Sequence, residues 1–251
     1  MNLQRSQPIA PHPPLTHYYG SDGARHSWVR DIFNRTAGDY DRIEAAMSAG
    51  SGARYRYQAL RRAGLRPGMR VLDVGTGTGL VAKQALRILG KDAVVIGVDP
   101  GIGMLRAAHF PSGIRAVAGL GERLPFGSEQ FHFLCMGYAL RHVADVAVLF
   151  GECRRVLKPD GTLCLLEITR PAGRAAAALL RLYMGKVVPL VTRALARHRD
   201  TAILMRYYWD TIDSCIEPAE IVGALRNAGF AQVDRHVKFG IFSEYRAQRT
   251  R

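Results

Sequence analysis

The stretch MRVLDVGTGTG, residues 69–79, constrains the fold more than any other part of the chain. Its apolar run is continuous and too short for a helix, so it reads as a β-strand covered on both faces. The run enters glycines at alternate positions, Gly75, Gly77 and Gly79. It continues into TGLVAKQALRILG (78–90), whose apolar residues recur at helical spacing up to a glycine stop. The same rhythm follows downstream. AVVIGVD (93–99), IRAVAG (114–119), FHFLCMG (131–137) and TLCLLEIT (162–169) read as strands. GIGMLRAAHF (101–110) and DVAVLFGECRRVL (145–157) read as helices, the second ended by a turn at KPDG. Strands alternating with helices at this spacing predict an α/β fold with a Rossmann-like, doubly wound, mostly parallel sheet.

FAQVDRHV and KFGIFSEYRAQ are expected to add an antiparallel hairpin at one edge, giving seven strands, after a helix over 217–228. Residues 25–64, broken at MSAGSG, and 173–212 are helical and read as a cap on one domain spanning 21–251. The proline-rich residues 1–20 carry no apolar signal-peptide core and are expected to form a flexible tail. The four cysteines form no CxxC pair, and no histidines cluster at ligand spacing, so buried reduced thiols and no metal are expected.

In an open parallel sheet the ligand sits beyond the carboxyl ends of the strands, so the loop Gly75–Gly79 is the place to look. A dinucleotide fingerprint needs a third glycine where Leu80 stands. Asp73 beside the loop would repel a pyrophosphate, yet it suits the cationic methionyl end of S-adenosylmethionine (SAM), which has no phosphate. Asp99 ends the second strand and can accept two ribose hydroxyls; taken alone it could equally cap the next helix. SAM is therefore the expected cofactor and a nicotinamide cofactor is disfavoured.

Net charge divides unevenly. Residues 1–70 hold 11 Lys+Arg against 5 Asp+Glu and residues 170–251 hold 14 against 7, while the middle is nearly balanced. Basic flanks suit an anionic partner such as a lipid surface, or simply form solvated arginine-rich helix faces. No added RNA-binding module is visible, so nucleic acid is not expected. The apolar stretch 174–196, interrupted by Arg181, Lys186 and Arg193, suits either a bilayer surface or a packed cap.

These residues, with LPF (124–126), ALRHVAD (139–145) and RRVLKPDGTLCLLEI (154–168), resemble class I SAM-dependent methyltransferases. The closer likeness is to the ubiquinone/menaquinone biosynthesis C-methyltransferases of UbiE type, and it covers most of the chain. IFNRTAGDYDRIEAAMSAG (32–50) is similar to that family's N-terminal segment. The resemblance implies that Tyr40 closes over the cofactor and that Asp73, Gly75, Thr78, Gly79 and Asp99 bind it. Leu120 and Gly121 fall where the adenine is held, although the family usually has an acidic or amide residue at Leu120. Gly137 replaces a serine that often touches the cofactor.

The family's GLRN signature reads Ala139-Leu140-Arg141-His142 here. The resemblance makes Arg141 and His142 the catalytic candidates, Arg141 to stabilise a phenolate and His142 to take a proton. Their plain alternatives are an ion pair and a helix cap. Tyr138, Tyr207, Tyr208 and Trp209 are candidates for an aromatic acceptor pocket, with helix packing as the alternative for 207–209. The implied activity is C-methylation of a prenylated hydroxyquinol by a cytoplasmic enzyme, peripheral at the inner membrane face and capable of forming a homodimer. An O- or N-methyltransferase of a soluble aromatic metabolite and a non-catalytic SAM-binding regulator remain the competing readings.

Overall fold

The computed structural model describes residues 8–90 and 92–250. Seven strands form one sheet in the order β3-β2-β1-β4-β5-β7-β6. β1 (Val71–Val74), β2 (Val95–Asp99), β3 (Ile114–Ala118), β4 (Phe131–Gly137) and β5 (Leu157–Ile168) run parallel. β6 (Phe230–Lys238) and β7 (Phe242–Arg249) are antiparallel, with β7 inserted between β5 and β6. This is the sheet expected from the sequence. The KPDG turn differs in detail: it is a bulge within β5, where Phe131 pairs with Leu157 but Phe133 pairs with Thr162. Asp160 takes the left-handed conformation there, at φ 61°.

Each face of the sheet carries its own core. On one side α6 (Val146–Val156) and α10 (Pro218–Asn227) bury Leu149, Phe150, Ile221 and Leu225 against Leu72, Leu134 and Leu163. On the other, α4 (Leu80–Leu89) sets Val81, Ala82, Ala85, Ile88 and Leu89 against Val71, Phe133 and Cys135. Those α4 positions are one face of a helix, which is why the sequence periodicity found it. α3 (Gly52–Arg62) adds Ala59 and Leu60 to this second core. The short helix α5 (Ile102–Ala107) follows β2.

A third apolar cluster lies above the carboxyl ends of the strands. It joins α1 (Thr16–Tyr19), the long helix α2 (Arg25–Met47), α7 (Arg174–Leu182), α8 (Val188–Leu195) and α9 (Thr201–Asp213). A π-helical turn, Tyr183–Val187, links α7 to α8. This is the helical cap, and Tyr138 and Ile168 pack against it from the sheet.

Residues 1–7 of the expected tail lie outside the described residues, and residues 8–20 depart from the expectation of a loose segment. The Ile9 amide donates to Asp145 Oδ1 at 3.3 Å, and its carbonyl accepts from Val146 at 2.9 Å. The Pro11 carbonyl accepts from Ile216, and His12 is buried against Arg25 Nη2 at 2.8 Å. Proline removes donors, so fewer bonds are needed to satisfy the backbone of this segment.

Candidate active site

The glycine loop is fixed from three sides. The Gly75 and Thr76 amides both donate to the Val98 carbonyl, at 2.8 and 3.0 Å, and the Gly77 amide donates to Asp99 Oδ2 at 2.8 Å. The Gly79 amide donates to the Thr76 carbonyl. The amides of Gly75, Thr76, Gly77 and Gly79 are therefore already engaged, which leaves fewer loop donors for a pyrophosphate. Gly75 and Gly79 are required by their own surroundings: φ is 67° and 83°, and an added Cβ would lie 2.5 Å from Ala139 Cβ and from the Phe110 ring. Gly79 itself is not among the residues lining the cavity described below.

Asp73 departs from its expected role as a direct partner of a cationic ligand. It is 1% exposed and points under the loop. There Oδ2 accepts from Thr76 Oγ1 at 2.7 Å and from the Ala82 amide at 3.1 Å, and Oδ1 from Cys135 Sγ at 3.4 Å. Burial pushes its carboxyl up to about 6. Asp73 thus holds the loop to α4 and does not line the cavity. Alternation along β1 is the reason: Val74, the next residue, turns to the cavity.

The cavity has a volume of about 470 Å³, within the range of small-molecule sites. One wall is Gly75–Thr78, Asp99–Gly101 and Leu120–Glu122. Asp99 Oδ1 accepts from the Gly101 amide at 2.7 Å, and each carboxylate oxygen keeps a further acceptor site for a ribose hydroxyl. Burial raises its carboxyl as well. Thr78 donates its hydroxyl to Asp41 Oδ1 at 2.5 Å, tying this wall to α2. Leu120 lines the cavity as an exposed apolar side chain, while Glu122 Oε1 is occupied by the Ala144 amide at 2.7 Å. At Gly137 an added Cβ would meet Val81 Cγ2 at 2.5 Å, so the family's serine does not fit here without movement of Val81.

A second part of the lining is largely aromatic and comes from α2, from α3 and from the chain that follows β4. Phe33, Tyr40, Tyr138 and His142 line it, with Val29 and Arg56. Burial raises the phenols of Tyr40 and Tyr138. His142 meets Phe33 edge-on at a centroid distance of 5.1 Å and stacks on Tyr207 at 5.5 Å. Its Nδ1 lies 3.3 Å from the Tyr207 hydroxyl, and its Nε2 has no partner among the described residues. Burial first, then the nearby Arg141, His12 and Arg25, holds the imidazole well below its ordinary range, so it is neutral. Helix capping, the plain alternative for His142, belongs to Asp145, which accepts from the Ala147 amide at 2.8 Å.

Arg141 turns the other way. It is 0% exposed, absent from the cavity wall, and donates from Nε to Glu167 Oε1 at 2.8 Å and from Nη1 to Thr211 Oγ1 at 2.8 Å. Its guanidinium stacks over Tyr208 at 4.4 Å. The expected phenolate partner is thus half of a buried ion pair with Glu167 of β5, and it is tied to α9 through Thr211. Tyr207, Tyr208 and Trp209 also fall outside the cavity wall and pack inside the cap. Sequence reasoning missed His26, Val29, Arg30 and Phe33, although their spacing with Tyr40 is one stripe of α2 and could have been read. It also missed Arg56.

Comparison with known proteins fits this arrangement. A sequence model of the ubiE/COQ5 methyltransferase family matches residues 21–249. The chain belongs to that family. It is therefore a SAM-dependent methyltransferase, in agreement with the glycine loop and Asp99. Among its relatives are the demethylmenaquinone methyltransferase of Mycobacterium sp. (strain KMS), 31% identical over 82% of this chain and 86% of that protein. The ubiquinone/menaquinone biosynthesis C-methyltransferase UbiE of Syntrophotalea carbinolica is 31% identical over 86% and 92%. The fold matches phosphoethanolamine N-methyltransferase 2 of Haemonchus contortus, solved with SAM, at TM-score 0.65 and 16% identity, covering 88% of this chain and 60% of that one. It also matches a Thermotoga maritima SAM-dependent methyltransferase at TM-score 0.61 and 22% identity, over 88% and 99%.

Proposed function

We propose that this enzyme methylates a ring carbon of a prenylated hydroxyquinol of the ubiquinone/menaquinone type. The observation that carries the reading is that one cavity joins the glycine loop Gly75–Thr78 and Asp99 to an aromatic lining that includes neutral His142. The names of its relatives point to the same class of acceptor. SAM, when bound, supplies the methyl group on an electrophilic sulfonium. Phe33, Tyr40 and Tyr138 offer flat surfaces to hold an aromatic ring in line with it. The carbon–carbon bond would form as the sulfur–methyl bond broke, and the ring would then lose a proton. With Nδ1–H donated to the Tyr207 hydroxyl, His142 keeps a lone pair on Nε2 that can take this proton.

A lipid-tailed acceptor calls for contact with a bilayer, and α7–α8 provides a surface for it. Leu179 and Leu190 are 67% and 68% exposed on this helix pair, and Leu182 is exposed beside them. Arg174, Arg181, Lys186 and Arg193 flank them with no acidic residue between 174 and 199. An exposed apolar face with basic borders suits the surface of an anionic membrane. Replacing Leu179 and Leu190 together by serine should reduce sedimentation with anionic phospholipid vesicles; undiminished sedimentation would refute this surface.

His142 in place of asparagine favours a second reading, O- or N-methylation of a soluble aromatic metabolite, because a neutral base suits an acceptor that must lose an O–H or N–H proton. One experiment separates the two. Purified enzyme and SAM are offered a reduced demethylated quinone with a prenyl tail, and a tail-less phenol. A new carbon-bound methyl on the quinol is expected. Methylation confined to oxygen or nitrogen would replace the first reading with the second.

A further inference from the structure

We propose that Arg56 is the anion-binding end of the cavity and takes the α-carboxylate of the cofactor's methionyl arm. The inference rests on the reading of the cavity as a SAM site and adds a residue to it. Two arginines line the cavity, Arg30 and Arg56. Arg30 is exposed and faces Asp31 on its own helix at 3.5 Å. Arg56 is 4% exposed, so it is the arginine whose charge is little screened by water.

Glu44 accepts from Arg56 Nη2 at 2.7 Å, which leaves other donors of the guanidinium. Its Nε is buried with no partner among the described residues. An unpaired buried donor of a charged group is costly unless a ligand completes it. The guanidinium lies 5.4 Å from the centroid of the Tyr138 ring, which also lines the cavity. The arginine is therefore held from one side by Glu44 and from another by an aromatic face.

Strand order sets the direction of the ligand. β2, β1 and β4 are neighbours, and their carboxyl ends carry Asp99, the glycine loop and Gly137–Tyr138 in that sequence. A nucleoside with its ribose at Asp99 would have Leu120–Glu122, after β3, on one side and the loop of β1 on the other. An arm extended across that loop would reach the end of β4, where Tyr138 meets Arg56. That arm of SAM ends in an amino acid, whose carboxylate a guanidinium matches in both charge and shape.

Calorimetry with three non-reactive ligands tests this: S-adenosylhomocysteine (SAH), its decarboxylated analogue, and 5′-methylthioadenosine. The wild-type enzyme should bind SAH about tenfold to a hundredfold more tightly than the decarboxylated analogue. Arg56→Met should weaken SAH by a similar factor, abolish the difference between the two, and leave methylthioadenosine unchanged. Arg56→Lys should restore part of the loss. The wild-type comparison needs no variant, so a variant that fails to fold does not shield the proposal. Equal wild-type affinity for SAH and the decarboxylated analogue would overturn it. So would a variant that binds SAH normally but shows a raised KM for the acceptor, which would turn Arg56 toward the acceptor's oxygen. Failure of all three ligands to bind would overturn the SAM reading itself.

Discussion

Replacing Arg141 by alanine should damage the fold before it touches the chemistry. Arg141 and Glu167 are both 0% exposed and paired at 2.8 Å. The arginine also donates to Thr211 Oγ1 and to the Tyr208 carbonyl at 3.2 Å, and its own carbonyl accepts from Arg25 Nη2 at 3.1 Å. Its removal strands the Glu167 carboxylate in the interior, where, among the described residues, only the Ile168 amide still donates to Oε1, at 2.8 Å. Breaking a buried pair from one side costs about 3–5 kcal/mol. For a chain of this size that is a fall in Tm of roughly 6–20 °C. Thermal melts followed by circular dichroism read this directly. The double variant Arg141→Met with Glu167→Leu should recover most of the loss, because it removes both charges. An Arg141→Ala protein with wild-type Tm and lost turnover would refute the assignment and return Arg141 to the chemistry.

Three further outcomes follow from the site. Gly79→Ala combines a left-handed backbone with a Cβ 2.5 Å from the Phe110 ring, so it should cost about 1–3 kcal/mol and weaken SAH binding; wild-type affinity would contradict it. Asp73 has a folded pKa of about 6 against an ordinary 3.8, so the folded state holds the extra proton between those values. Its stabilising contribution is present below the ordinary value and lost as pH rises through about 6. Melts of Asp73→Asn against wild type should show the wild type losing ground across that window, and parallel curves would be the contrary result. His142→Ala should lower turnover by about 10²–10⁴ with SAH affinity nearly unchanged. Because His142 stays neutral well below 6.5, no limb of the pH–rate profile near that value should belong to it.

The sheet was legible because its signals are local. VLDVGTGTGL and α4 carry strand and helix periods within a few residues of each other, and the observed elements agree with them. The bulge at KPDG was read as a turn because a bulge differs from a turn only by what pairs across it, here Phe131 and Phe133. The active site was legible in part. Asp99, Thr78, Leu120 and Tyr138 reach the cavity, since their positions at strand ends decide it. Arg141 and His142 are adjacent in the sequence and occupy one 3₁₀ turn, Leu140–His142, yet they face opposite ways. Which one meets the cavity depends on where Glu167 and α9 stand, and no local pattern encodes that. Arg56 was hidden for the same reason: α3 meets the site through a tertiary contact, Arg56 over the Tyr138 ring, that no local pattern encodes.

On the proposed reading, this cavity passes a methyl group to a lipid-tailed ring. The most direct test supplies methyl-labelled SAM and the purified enzyme to a whole extract of the source cells, followed by solvent partition of the products. Label is expected in the lipid phase, on a quinone-like species. Label retained on a water-soluble small molecule would contradict the acceptor, and no transferred label at all would contradict the claim that the cavity is a working methyl-transfer site.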